Sequence, residues 1–217
     1  MLLSHDKDFT EFRPATTEHL PELALPATDA TTPGLPPRYE IDAFTAGTMV
    51  ETEAGWRVVD SLKAGDRVAT LDGGVAEVKS VVSRPAPSTC RLWHIPAGSL
   101  NNCSDLRLAS GQHVALTDPE VETLFDTHCV LVPVAAMAGF RGIQPLTCFD
   151  LAPMTRLEFD TEEIVFTQTG TLVHVPTPSA DPFFRTLAYG ETRALLSLIN
   201  GGHCAPDAQG FAPAQAA

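Results

Sequence analysis

The sequence predicts an all-β body of short antiparallel strands, preceded by a proline-rich arm and followed by one helix. Three observations predict it. Val- and Leu-rich runs of four to nine residues recur at close spacing, several with the apolar–polar alternation of a half-buried strand. Turn-forming clusters separate them, such as Ala64-Gly65-Asp66 and Asp72-Gly73-Gly74. The runs follow one another without the intervening helical patterns that βαβ units require.

Taken in order, residues 1–38 are punctuated by Pro14, Pro21, Pro26, Pro33, Pro36 and Pro37. Proline removes a backbone donor and fixes φ, so this stretch is expected to be an arm holding at most a short helix near Glu18–Leu25. The β body is expected over 39–180. Its runs are WRVVD (56–60), DRVATL (66–71), VAEVKSVVS (75–83), CRLWHIP (90–96), LRLA (106–109), HVAL (113–116) and CVLVPV (129–134). Asp72-Gly73-Gly74 between two Val-rich runs predicts a hairpin. A further strand pair is expected through Glu163–Phe166 and Thr171–Val175, and a short helical turn over Val134–Phe140. In the last segment, 181–217, PFFRTLAYGETRALLSLIN predicts a helix. Pro182 suits its start, Gly201 suits its stop, and Gly190 favours a beginning only at Glu191. The Gly-, Ala- and Pro-rich stretch after it is expected to fray.

The 217 residues are 44% hydrophobic, enough for a sizeable core. Twenty-seven acidic residues against fourteen basic ones give a formal net charge of −13. A polyanion repels such a surface, which argues against nucleic-acid and anionic-membrane partners. No apolar run approaches the roughly 20 residues of a membrane span. The opening MLLSHDKDFTEF has no basic n-region, so the compartment is left between cytoplasm and non-classical export. The five cysteines, Cys90, Cys103, Cys129, Cys148 and Cys204, show no C-x-x-C spacing. They are expected as free buried thiols rather than as a zinc site or a disulfide framework. No metal or organic cofactor is implied.

Two stretches stand out together. The first runs Ala43-Phe44-Thr45-Ala46-Gly47-Thr48-Met49-Val50 and continues through Val58-Val59-Asp60-Ser61-Leu62-Lys63-Ala64-Gly65-Asp66-Arg67-Val68 to Leu71-Asp72-Gly73-Gly74. The second is Asp105-Leu106-Arg107-Leu108-Ala109-Ser110-Gly111-Gln112-His113-Val114-Ala115-Leu116. The pairing resembles the Hint superfamily of hedgehog and intein autoprocessing domains, in particular the Hint-domain proteins of bacteria. There the opening reads Cys-Phe-x-x-Gly-Thr-x-Ile and a Gly-Asp-x-Val block follows. The resemblance covers roughly residues 40–180, with the closing region from Cys148 to Pro176 the loosest part.

The resemblance implies an all-β horseshoe fold with two pseudo-symmetric β subdomains, and a substrate that is the chain itself. In working members a Cys or Ser at the first position attacks the carbonyl of the residue before it. A His of the second block, three residues after a Thr or Ser, helps protonate the scissile amide nitrogen. Carried onto this chain, the nucleophile position is Ala43, the second-block histidine is His113 and its partner is Ser110. Asp150, in the closing region, is a candidate for orienting the reacting groups. Ala43 has no attacking atom, so the acyl shift cannot start. No terminal His-Asn pair follows; Asn200-Gly201-Gly202-His203-Cys204 holds those residue types in the wrong order.

Two accounts of Ala43 follow. In the first, the domain has lost its nucleophile and is a non-cleaving scaffold or binding module for a protein partner or chain segment. In the second, it is an autoprocessing domain, cleaving after Asp42 through a thioester, trapped by a Cys-to-Ala substitution. Under either, the segment through Ile41–Ala43 is expected in the cleft near His113. A hydrolase unrelated to the family would need a Ser-His-Asp or Cys-His pattern, and none is found. The remaining conspicuous residues have structural readings. Thr45 and Thr48 do not directly follow the expected scissile bond, Gly47 serves backbone geometry, and Asp66 closes a turn. His128 and Cys129 point apart, and Trp56 and Trp93 are core or rim aromatics.

Overall fold

The computed structural model describes residues 42–72, 74–87, 90–146, 152–177 and 182–202. The expected arm, its short helix, Asp150, Cys148 and the fraying tail lie outside the described residues. Fourteen strands are described: β1 Phe44–Thr45, β2 Met49–Thr52, β3 Gly55–Val58, β4 Arg67–Thr70, β5 Gly74–Glu77, β6 Ser80–Arg84, β7 Leu92–Ile95, β8 Leu106–Ala109, β9 His113–Leu116, β10 Val130–Pro133, β11 Gln144–Leu146, β12 Met154–Glu158, β13 Glu163–Thr167 and β14 Thr171–Val175. Two helices, α1 Pro119–Phe125 and α2 Tyr189–Gly202, complete the body with short 3-10 turns at Val59–Ser61, Val134–Met137 and Phe140–Gly142.

The strands form two sheets. The first has the order β11-β7-β8-β1-β12-β6; the second runs β10-β9-β14-β13-β2-β4-β5, with β3 added to β2. The described strands pair antiparallel throughout, as strands joined by short connections do. The expected run 75–83 is two strands, because Val78 and Lys79 leave the β5 ladder: Val78 N–H donates to Asp66 C=O and Lys79 N–H to Glu158 C=O.

Period-two burial sets the core. Val114, Val130, Val132, Val165, Val173 and Val175 face one buried cluster with Phe44, Leu106, Leu108 and Leu157. Helix α2 belongs to that core through Leu195, Leu196 and Ile199. The alternate residues Ala115, Leu131, Ile164 and Leu172 build a second apolar layer on the other face of the second sheet, covered by Phe184.

Helix α2 begins at Tyr189, earlier than Glu191, and Pro182 does not start it. The Glu191 carboxylate accepts the Ala188 N–H, capping the first turn in spite of Gly190. The residues before it form an extended strap along β10: Leu131 N–H donates to Arg185 C=O and Leu187 N–H to Leu131 C=O. Helix α1 was not expected. Its start is nonetheless written in the sequence, with Asp118 accepting the Glu120 N–H and Pro119 at the first helical position.

Candidate functional site

Strands β8, β1 and β12 are neighbours in the first sheet, and each continues into the second sheet across a short connection. These are residues 46–48 from β1 to β2, 110–112 from β8 to β9, and 159–162 from β12 to β13. Of the site candidates, Ser110 lies in the second crossing and His113 directly follows it, Ala43 directly precedes β1, and Asp150 lies outside the described residues. Locally, the first depends on Gly47, whose φ of 82° is a left-handed conformation that suits a residue without Cβ. Its N–H donates to Asp60 Oδ2 at 2.8 Å, while Thr155 on β12 donates to Asp60 Oδ1 at 2.7 Å. Asp60 thus ties the first crossing to β12.

Ala43, just before β1, is 6% exposed and packs with Ala109 at the end of β8 and Met154 at the start of β12. Ala86, Cys90 and Leu92 flank this pocket. The register explains the meeting: Phe44 lies opposite Leu108 on one side and Thr155 on the other. The nearby hydroxyls are engaged. Thr45 Oγ1 donates to Arg107 C=O at 3.0 Å, and Thr48 Oγ1 to Thr45 C=O at 2.8 Å. The Cys90 Sγ lies 3.7 Å from Met154 Sδ, and burial pushes its thiol pKa up. Only a thiolate attacks well, so this placement disfavours Cys90 as a replacement nucleophile.

The second crossing is pinned by Gln112, which is 2% exposed. Its N–H donates to Ala109 C=O at 3.0 Å and its Oε1 accepts the Ala109 N–H at 2.8 Å. Such a turn brings its end Cα atoms within about 7 Å, so the His113 Cα starts within about 11 Å of Ala109. Ser110 sits half-buried in this turn, its N–H donating to Arg91 C=O. His113 is half-buried at the start of β9.

His113 has a neighbour that sequence reasoning missed. Val114 pairs with Val173, which sets His113 directly across from His174 on β14. The two rings meet in a T-shape, centroids 6.3 Å apart. His174 Nε2 is 3.0 Å from Glu162 Oε2, at the end of the third crossing, with the two side chains only 9% and 12% exposed. Glu162 Oε1 also accepts the N–H groups of Phe183 and Phe184 from the strap. Burial holds the His174 pKa below the ordinary histidine range, against the opposing pull of Glu162. The TLVHV run shows a histidine at an apolar-face position, but only the strand register joins it to His113 and Glu162.

Other candidates behave as ordinary structure. Asp66 Oδ2 accepts the Lys63 N–H at 2.8 Å and meets Arg57 at 3.0 Å; that backbone bond is the main reason its carboxyl pKa is lowered. His128 is exposed against Glu122, while Cys129 is buried in the outer apolar layer. Cys103 is free but exposed, unlike the buried thiol expected. Among the described residues, no group of three or more His, Cys, Asp or Glu side chains is arranged to hold a metal ion. No described helix is long and apolar enough to cross a membrane.

Among solved structures, the bacterial intein-like domain from Clostridium thermocellum is 19% identical, covering 62% of this chain and 99% of its own, with a TM-score of 0.43. The MchDnaB-1 intein is 12% identical over 60% of this chain and 98% of its own, TM-score 0.39. The gp41-1 intein is 15% identical over 61% and 97%, TM-score 0.37. No curated protein matches the chain. The family model of the Hint domain matches residues 42–172, a span that begins one residue before Ala43 and includes both motif blocks and all three crossings. This chain belongs to the Hint domain family.

Proposed function

We propose that this Hint domain does not cleave itself. It keeps the segment before residue 43 covalently attached and works as a folded scaffold or binding module, with that segment held in its cleft and a protein partner as the second occupant. The observation that carries this reading is the burial of the Ala43 methyl against Ala109 and Met154 at the nucleophile position. A methyl group has no lone pair to attack the Asp42 carbonyl, so no ester or thioester forms. The engaged hydroxyls of Thr45 and Thr48, and the burial-raised thiol pKa of Cys90, support the same conclusion.

The native chain tests this directly. Purified protein incubated with dithiothreitol or hydroxylamine is expected to show one intact mass, matching all 217 residues. A fragment ending at Asp42 would overturn the reading.

The retained Ser110-Gly111-Gln112-His113 turn supports a second reading. In it, Ala43 stands where an active form carries cysteine, and that form cleaves after Asp42 through a thioester. The two readings share one site and differ only at residue 43.

A further inference from the structure

We infer that Glu162 and His174 form a positioning pair for His113, so that the candidate site extends to the back of the second sheet. The inference rests on reading His113 as the second-block histidine of the Hint site. Three placements support it. His113 and His174 are a direct cross-strand pair on β9 and β14, and their rings meet in a T-shape. Glu162, at the entrance to β13, holds the far nitrogen of His174 at 3.0 Å. The strap fixes Glu162 in turn through the N–H groups of Phe183 and Phe184, and Phe184 packs edge-on against His174 at 6.1 Å between centroids.

We assign the proton positions from the hydrogen-bond partners. A carboxylate is acceptor-only, and Glu162 Oε1 already receives two backbone N–H groups. Its Oε2 therefore accepts from His174, which places the His174 proton on Nε2. Burial opposes a second proton on that ring, so Nδ1 keeps its lone pair. His113 then lies beside a neutral imidazole of fixed tautomer rather than beside a cation. The arrangement is useful for a proton-transferring histidine, because a neighbouring imidazolium would repel its protonated form.

The test is a substitution that keeps shape and changes the proton. In Glu162→Gln, the amide oxygen still accepts the two strap N–H groups, and the amide nitrogen donates to His174 Nε2. That forces the His174 proton onto Nδ1. Side-chain nitrogen NMR of the native chain is expected to show His174 as the Nε2–H tautomer. In Glu162→Gln the tautomer is expected to switch and the ring-nitrogen resonances of His113 to move with it. His94 and His128, paired instead with Asp105 and Glu122, serve as internal references and are expected to stay put. A switched His174 beside an unmoved His113 would overturn the inference, as would a native His174 protonated on Nδ1. If Glu162→Gln does not fold, His174→Phe keeps the ring bulk and removes its nitrogens, and unmoved His113 resonances there overturn it equally.

A functional arm separates this inference from the reading beneath it. In an Ala43→Cys background, Glu162→Gln is expected to slow hydroxylamine-dependent cleavage about tenfold, a fraction of the roughly 10²–10⁴-fold that a proton-transferring group contributes, since Glu162 acts on it only through His174. Unchanged cleavage would count against the pair. An Ala43→Cys chain that releases nothing would sink the reading of the site, while the nitrogen resonances would still decide the coupling.

Discussion

Replacing Phe44 by alanine is expected to cost about 3–5 kcal/mol of folding stability, the range for emptying a buried aromatic position. Phe44 is 2% exposed and belongs to the main core cluster. It is also half of a two-residue strand, β1, held between β8 and β12. A strand that short contributes few ladder hydrogen bonds, so its place depends on the ring beside it. The loss therefore has a local consequence as well as a global one. With β1 loosened, Ala43 is no longer held against Ala109 and Met154, and the first crossing separates from the second. Denaturant unfolding should show the midpoint falling with an unchanged slope, and amide exchange should rise first in residues 43–49. A midpoint within experimental error of the native chain would show that β1 is held by something other than Phe44.

Gly170→Ala is the second large effect, expected at about 3 kcal/mol, because overpacking against backbone is not relieved by a rotamer change. A Cβ built on Gly170 would lie 2.3 Å from the Asn101 carbonyl oxygen and 2.9 Å from its carbon. Neither side can yield easily. The Asn101 loop is fastened by Thr171 Oγ1 to Leu100 C=O at 3.2 Å and by Cys103 N–H to Gln168 C=O at 2.9 Å. Asn102 adds donations to Pro96 and Ser104 carbonyls. Asn101, Gln168 and Thr169 already occupy left-handed conformations, with φ of 62°, 46° and 74°. The same loops hold the β13–β14 turn, and so the strand that carries His174. Thermal unfolding is expected to come roughly 6–12 °C lower, the shift that about 3 kcal/mol produces in a domain of this size. A native-like melting temperature would mean that the turn and the Asn101 loop part more readily than their hydrogen bonds imply.

Much of the fold was legible because it rests on period-two burial. Leu106 and Leu108, Val114 and Leu116, and Val173 and Val175 announce strands by their spacing, and those strands are present. The family was legible for a different reason: the blocks that begin at Ala43 and at Asp105 resemble the motifs of Hint domains, and the family model matches the span that contains both. The 182–188 stretch was not legible as a strap. Its apolar residues and following helix former pattern suit a helix, and only docking of residues 185–187 on the β10 edge draws them into an extended conformation. The β5–β6 break depended on Asp66 and Glu158 accepting the N–H groups of Val78 and Lys79, contacts distant in sequence. The pairing of His174 with Glu162 across twelve residues, and with His113 across sixty-one, is likewise a matter of register. No local pattern signals it.

We propose that this Hint domain keeps its preceding segment because residue 43 lacks a nucleophile, while Ser110 and His113 are retained. Ala43→Cys, incubated with and without hydroxylamine and followed by intact mass spectrometry, tests it most directly. The predicted result is hydroxylamine-dependent release of a fragment ending at Asp42 as its hydroxamate, with the remainder beginning at the new cysteine. A folded Ala43→Cys chain that stays at a single intact mass would contradict the claim, and would place the loss of cleavage in more of the site than one side chain.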